Sequence, residues 1–121
     1  MASRSLVIKV TAGQDDQERC NQAFTVAATG VASGLQVSLW LTGEAAWFAL
    51  PDRADGVALP HAAPLGQLLA KVLAEGTVTV CSQCASRREI TADDTLTGVR
   101  IAGASTFLAE IMADNAQALV Y

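Results

Sequence analysis

Thr77-Val78-Thr79-Val80-Cys81-Ser82-Gln83-Cys84-Ala85-Ser86-Arg87-Arg88 begins with four β-branched residues in a row. Two heavy atoms on each Cβ favour extended backbone and pack well on a pleated surface. No Gly or Pro interrupts the run, and it is too short for a helix, so it predicts a strand over 77–80, with Cys81 directly after it. The small and polar residues after it, from Ser82 to Ser86, suit a helical turn. A strand passing directly into a helix belongs to a parallel α/β sheet, where sites form at the carboxyl ends of the strands.

The flanking segments repeat this alternation. Upstream, Leu68, Leu69, Val72 and Leu73 predict an amphipathic helix over residues 66–75, closed by Gly76. Residues 51–64 contain three prolines with Asp52, Asp55 and Gly56, and read as a loop with a short strand at 57–59. Residues 44–50 predict a short helix holding Trp47 and Phe48, entered through a Thr42-Gly43 turn with Glu44 at its start. Over 35–41, Leu35, Val37, Leu39 and Leu41 alternate with Gln36, Ser38 and Trp40, the pattern of a second strand. Cys20, Ala23, Phe24, Ala27, Ala28 and Val31 place a helix over 17–32, capped by Asp15 or Asp16 and stopped at Ser33-Gly34. Residues 6–10 form the first strand, broken only by Lys9. Downstream, 93–101 reads as irregular with a turn at Gly98, 104–113 as a helix and 118–121 as a last strand. The order predicts one α/β domain over residues 1–121, with a mostly parallel sheet flanked by helices.

Composition narrows the function. Of 121 residues, 51% are hydrophobic and 17% charged, against about a quarter charged in an ordinary globular domain. Apolar surface beyond the needs of one core points to subunit contacts, so a homo-oligomer is expected. The net charge of −4 is scattered, and Arg87-Arg88 is the longest basic run, which excludes a nucleic-acid footprint or a polybasic membrane anchor. No apolar stretch is long enough to span a membrane. The start Met1-Ala2-Ser3-Arg4 leads into Leu6-Val7-Ile8, which Lys9 cuts too short for a signal peptide. A cytoplasmic location is expected, with the three cysteines as thiols.

Cys81 stands at a strand end, before a helical turn whose free N–H groups favour a thiolate, and Arg87 and Arg88 add positive charge one to two turns on. Such a thiolate attacks acyl groups, disulfides or sulfane sulfur. With Cys84 it spells C-x-x-C. A zinc site lacks two further ligands at paired spacing, since only Cys20 and His61 remain, so no metal is expected. A thioredoxin dithiol lies earlier in its fold and faces a proline, and neither holds here. Cys84 is therefore a resolving thiol or a packed neighbour. Cys20, on the apolar helix face, reads as core, and His61 as a solvated loop residue. Glu44 caps its helix or reaches toward the Cys81 pocket, and Trp47 and Phe48 wall a pocket or a subunit contact. Phosphate-loop, dinucleotide and G-x-S-x-G patterns are absent, so no cofactor is expected.

The stretch from Val78 through Cys81, Cys84, Arg87 and Arg88 to Ile90, with Leu96-Thr97-Gly98-Val99-Arg100-Ile101 and Ala118-Leu119-Val120-Tyr121, resembles the DsrE/DsrF-like family in its TusD-like sulfur-relay and YchN-like branches. The opening Ile8-Lys9-Val10-Thr11-Ala12-Gly13 and the strand Val37-Ser38-Leu39-Trp40-Leu41 fit the same plan. The resemblance implies a three-layer domain with about five strands, and assembly into trimers or hexamers. In relay members, a cysteine after the equivalent strand carries persulfide sulfur between donor and acceptor proteins, and Cys81 takes that position. Cys84 corresponds to a second cysteine of the YchN-like branch. Three functions follow as expectations: sulfur carriage of sulfurtransferase type on Cys81, a non-catalytic oligomeric module binding a small ligand or partner, and redox sensing by a Cys81–Cys84 disulfide.

Overall fold

The computed structural model describes residues 4–121. The expectation drawn from Met1 to Ser3 lies outside the described residues. Five strands, β1 (Ser5–Val10), β2 (Gln36–Leu41), β3 (Thr77–Cys81), β4 (Val99–Ala102) and β5 (Ala116–Val120), form one sheet in the order β4-β3-β2-β1-β5. Every neighbouring pair is parallel. Four helices connect them: α1 (Gln17–Ala32), α2 (Leu65–Glu75), α3 (Ser82–Arg87) and α4 (Ala104–Ile111).

Side chains alternate across a strand, so each strand feeds two faces. Leu6, Ile8 and Val10, with Val37, Leu39, Leu41, Val78 and Val80, join the buried residues of α1 and α2 in one core. There Phe24 meets Phe48 edge to face at 6.0 Å. Full burial of one such side chain contributes about 1.5–3 kcal/mol, which makes this face the main source of stability. Asp16 caps α1 by accepting from the Arg19 N–H at 3.1 Å, and Gly76 closes α2 by donating its N–H to the Val72 carbonyl at 2.7 Å.

The opposite face carries Val7, Lys9, Ser38, Trp40, Thr79, Cys81 and Arg100. Only α4 crosses it, because the chain must travel from β4 at one sheet edge to β5 at the other. No residue of α4 is buried, and Leu108 of α4, Met112 at its C-terminal cap and Val120 of β5 are exposed apolar side chains.

Three elements differ from the sequence reading. Residues 43–49 form a 3-10 helix, so Gly43–Ala49 is wound more tightly than the expected short α-helix. Residues 57–59 make no strand; Val57 instead turns into the core beside α2, buried and donating its N–H to the Ala54 carbonyl. Val99–Ala102, read as irregular, is the edge strand β4.

Candidate functional site

The parallel register aligns the carboxyl ends of β1, β2 and β3. Lys9 pairs with Trp40, Leu41 with Val80, and Cys81 with Ala102. Lys9, Trp40 and Cys81 therefore share the α4 face at one edge of the sheet. Together with Thr42, Ala104 and Phe107 they enclose a cleft of about 60 Å³. Trp40 is buried and stands edge-on to Phe107 with ring centres 5.3 Å apart, and Lys9 Nζ lies 5.4 Å from the Phe107 ring centre.

Cys81 is the last residue of β3 and the cap of α3, and its thiol is half-buried. Burial by itself pushes the thiol up. The backbone N–H groups of Cys84 and Gln83, the Cys84 side chain and the positive charge of Lys9 together outweigh it, and hold Cys81 below the ordinary thiol value. Cys84 is buried one turn on and accepts the Gly43 N–H at 3.2 Å. Gly43 has φ +53°, and a Cβ there would lie 2.5 Å from the Thr11 carbonyl oxygen, so only glycine lets the two turns close on each other.

The two arginines do not serve as expected. Arg88 donates from Nε and Nη2 to Glu44 Oε2 at 3.2 and 2.7 Å, and from Nη1 to the Cys84 carbonyl at 3.1 Å. It braces the Cys84 turn against the turn after β2, and Glu44 is its partner rather than a group of the Cys81 cleft. Arg87 is exposed beside Ser82, Gln83 and Ser86. The cation that acts on Cys81 is Lys9, which the sequence presents as a break in an apolar strand.

Trp47 and Phe48 do not wall this cleft either. Trp47 is half-buried beneath the Arg53 guanidinium at 4.7 Å, and Phe48 lies in the core. Trp40 takes the place foreseen for Trp47. Cys20 is fully buried in α1, and desolvation with the negative charges of Asp15 and Asp16 pushes its thiol up to about 12. His61 is exposed in a left-handed turn at φ 63°.

Below Trp40, Glu110 of α4 accepts from Ser38 Oγ at 2.6 Å and from Trp40 Nε1 at 3.0 Å, and pairs with Arg100. Arg100 also donates Nε to Thr79 Oγ1 at 2.8 Å. This network fixes Trp40, and through it one wall of the cleft. Ser38, Trp40 and Thr79 stand at alternate strand positions, the one sequence signal of a second, partly polar face.

No group of three or more His, Cys, Asp and Glu residues that could hold a metal ion occurs among the described residues. No helix of the described residues is long and apolar enough to cross a membrane.

The arrangement has close structural counterparts. The crystal structure of the YchN protein from E. coli superposes with a TM-score of 0.78 at 18% identity, covering 99% of this chain and 100% of that one. MTH1491 from Methanobacterium thermoautotrophicum, a protein of unknown function, gives 0.74 at 10% identity, covering 98% of this chain and all of its own. BT1422 from Bacteroides thetaiotaomicron, also of unknown function, gives 0.61 at 17%, covering 98% and 95%. At these identities the likeness is one of fold. No curated protein matches the chain. Residues 4–121, which include the whole sheet and both C-x-x-C cysteines, match the DsrE/DsrF-like family model, and the chain belongs to the DsrE/DsrF-like family.

Proposed function

We propose that this protein carries sulfane sulfur on Cys81 between a donor and an acceptor protein. The Cys81 thiolate attacks the outer sulfur of a donor persulfide, R–S–SH. The donor S–S bond breaks, R–S⁻ leaves with the electron pair, and Cys81–S–SH remains. An acceptor thiolate repeats the step on the outer sulfur and returns Cys81 as thiolate. No oxidant is consumed in either half.

One observation carries this reading. Cys81 opens to a cleft and is held below the ordinary thiol value, whereas Cys20 and Cys84 are buried. Family membership supports it at the level of a sulfur-relay-type family. A small-ligand binding module is less favoured at this site. The cleft of about 60 Å³ falls far below the ~300–1,000 Å³ of an ordinary ligand pocket.

The test is intact mass after incubation with a cysteine desulfurase and cysteine, or with polysulfide. A gain of one sulfur that disappears in Cys81→Ser supports carriage; no Cys81-dependent gain removes it.

A second reading rests on the place of Cys84, one helical turn beyond Cys81, where its side chain helps to hold Cys81 below the ordinary thiol value. That place suits a resolving thiol, so the pair also serves as a redox sensor if diamide closes a Cys81–Cys84 disulfide with loss of two hydrogens. Retention of both free thiols in diamide removes this reading.

The exposed Leu108, Met112 and Val120 support a homo-oligomer, trimer or hexamer, built on the α4 face. A thiol that must stay reduced between transfers supports a cytoplasmic setting.

A further inference from the structure

We propose that the cleft beside Cys81 is the seat of the outer sulfur of a Cys81 persulfide, with Lys9 as its counter-charge. This rests on sulfur carriage by Cys81 and adds a substrate class: small sulfane donors with an anionic transferable end, such as thiosulfate or a free perthiolate.

Size sets the first limit. The cleft of about 60 Å³ compares with the ~10–15 Å³ that one water needs on the same measure, so it admits a few atoms at most. A terminal sulfur with its solvation fits, and a nucleotide or a peptide side chain does not. The walls set the second. Trp40 and Phe107 offer aromatic surface, and divalent sulfur gains from contact with aromatic rings.

Charge sets the third. Lys9 is half-buried on the α4 face of β1, between Ile8 and Val10, which are fully buried on the other face. A lysine there packs its stem along the apolar wall and keeps its ammonium where water or an anion reaches it. Among the described residues the ion pairs join Arg19 to Asp16, Arg88 to Glu44 and Arg100 to Glu110, and none involves Lys9. Two carboxylates on the elements around the cleft have partners of their own. Glu44 is neutralised by Arg88 of α3, Glu110 of α4 by Arg100 of β4, and Arg87 is in solvent. Thr42, at the end of β2, donates its hydroxyl to the Val10 carbonyl at 2.8 Å, and Thr11 donates to the main-chain oxygen of Tyr121. Lys9 thus makes no ion pair among the described residues, and its ammonium, over the Phe107 ring at 5.4 Å, shares the slot with the Cys81 thiol.

A persulfide, R–S–SH, ionises more readily than a thiol, so the loaded state is the anion that Lys9 stabilises. With thiosulfate the transfer balances as Cys81–S⁻ plus S₂O₃²⁻ giving Cys81–S–S⁻ plus SO₃²⁻. Two anions must meet in this step. A fixed cation lowers the cost of that encounter, and no other described residue offers one in the cleft.

The experiment compares wild type, Lys9→Met, Lys9→Arg, Ala104→Leu and the remote charge control Lys71→Met. Cys81 alkylation rates are measured with anionic iodoacetate and neutral iodoacetamide across pH, and sulfur uptake from thiosulfate is followed by intact mass. The iodoacetate-to-iodoacetamide ratio should fall about three- to tenfold in Lys9→Met, the effect of one charge a few ångströms away, and recover in Lys9→Arg. Lys71→Met should match wild type. Ala104→Leu fills the slot, so it should slow sulfur uptake while leaving the pH profile of iodoacetamide labelling in place. If wild type loads sulfur and Lys9→Met loads equally fast with an unchanged ratio, the seat is overturned and carriage stands. If wild type takes up no sulfur from any donor, carriage itself falls, and the seat falls with it.

Discussion

Arg88 and Glu44 meet through a forked contact, with Nε at 3.2 Å and Nη2 at 2.7 Å from the same carboxylate oxygen, while the third donor of Arg88 holds the Cys84 carbonyl. The pair ties α3 to the turn after β2. Its charges cancel, so it positions the C-x-x-C turn without polarising Cys81.

Arg88→Leu is therefore expected to cost about 1–2 kcal/mol, the sum of a partly screened ion pair and one backbone hydrogen bond. Chemical denaturation reads this directly. The midpoint of Cys81 alkylation against pH should move less than in Lys9→Met. A larger shift in Arg88→Leu would return the activating role to the arginine.

The three thiols should separate by reactivity. Cys81 labels first, with a midpoint below that of a free thiol at about 8.5. Cys84 is buried and labels more slowly, and Cys20, pushed up to about 12, labels only when the chain unfolds. Peptide mapping after timed iodoacetamide exposure gives the order. Labelling of Cys20 in native buffer at a rate near that of Cys81 would contradict the burial of α1.

Much of this site was legible in the sequence. The β-branched run from Thr77 fixes β3, and with it the strand-end position of Cys81, because nothing else satisfies four such residues in a row. The helix at 17–32 was equally plain, since its apolar positions recur at a single period and Asp16 caps it. The edge strand β4 was hidden. It has four residues, none of them buried, and Arg100 sits within it, so it lacks the apolar alternation of a half-buried strand. The partners of Cys81 were hidden for a different reason. Lys9 and Trp40 lie in other strands, and only the parallel register places them beside the thiol. Nearness along the chain favoured Arg87 and Arg88 instead, and Trp47 over Trp40, but chain distance says nothing about which strand ends are aligned.

Glu110 should make stability depend on acid pH. Its partial burial disfavours the charged form, but hydrogen bonds from Ser38, Trp40 and Arg100 and the Arg100 charge outweigh that and hold it below the ordinary 4.5. A carboxyl that ionises more readily in the folded than in the unfolded state stabilises the fold above the unfolded value. The contribution is lost as pH falls through the folded one. Glu110→Gln is expected to cost about 1.5–3 kcal/mol at neutral pH, the range for hydrogen bonds to a charged group. The gap to wild type should narrow below about pH 4. A gap that stays constant from neutral to acid pH would show that the carboxylate charge contributes nothing.

Leu108 is 56% exposed, Met112 71% and Val120 65%, on the one sheet face that a single helix covers. Met112, the residue that caps α4, stands four positions after Leu108, so the two project from the same side of the helix end. In water this costs free energy that a second copy of the chain recovers by burying the same surface. Sedimentation equilibrium of the wild type is therefore expected to give a multiple of 12.5 kDa above one, with three or six chains the number that the family resemblance implies. Met112→Glu places a charge at the centre of the contact, where an unpaired buried ion is strongly disfavoured, and should reduce the mass to one or two chains. Its helix tolerates glutamate, so circular dichroism should stay that of wild type. A wild type that sediments as a single chain at micromolar concentration would leave these side chains as plain surface, and Met112→Glu would then change nothing.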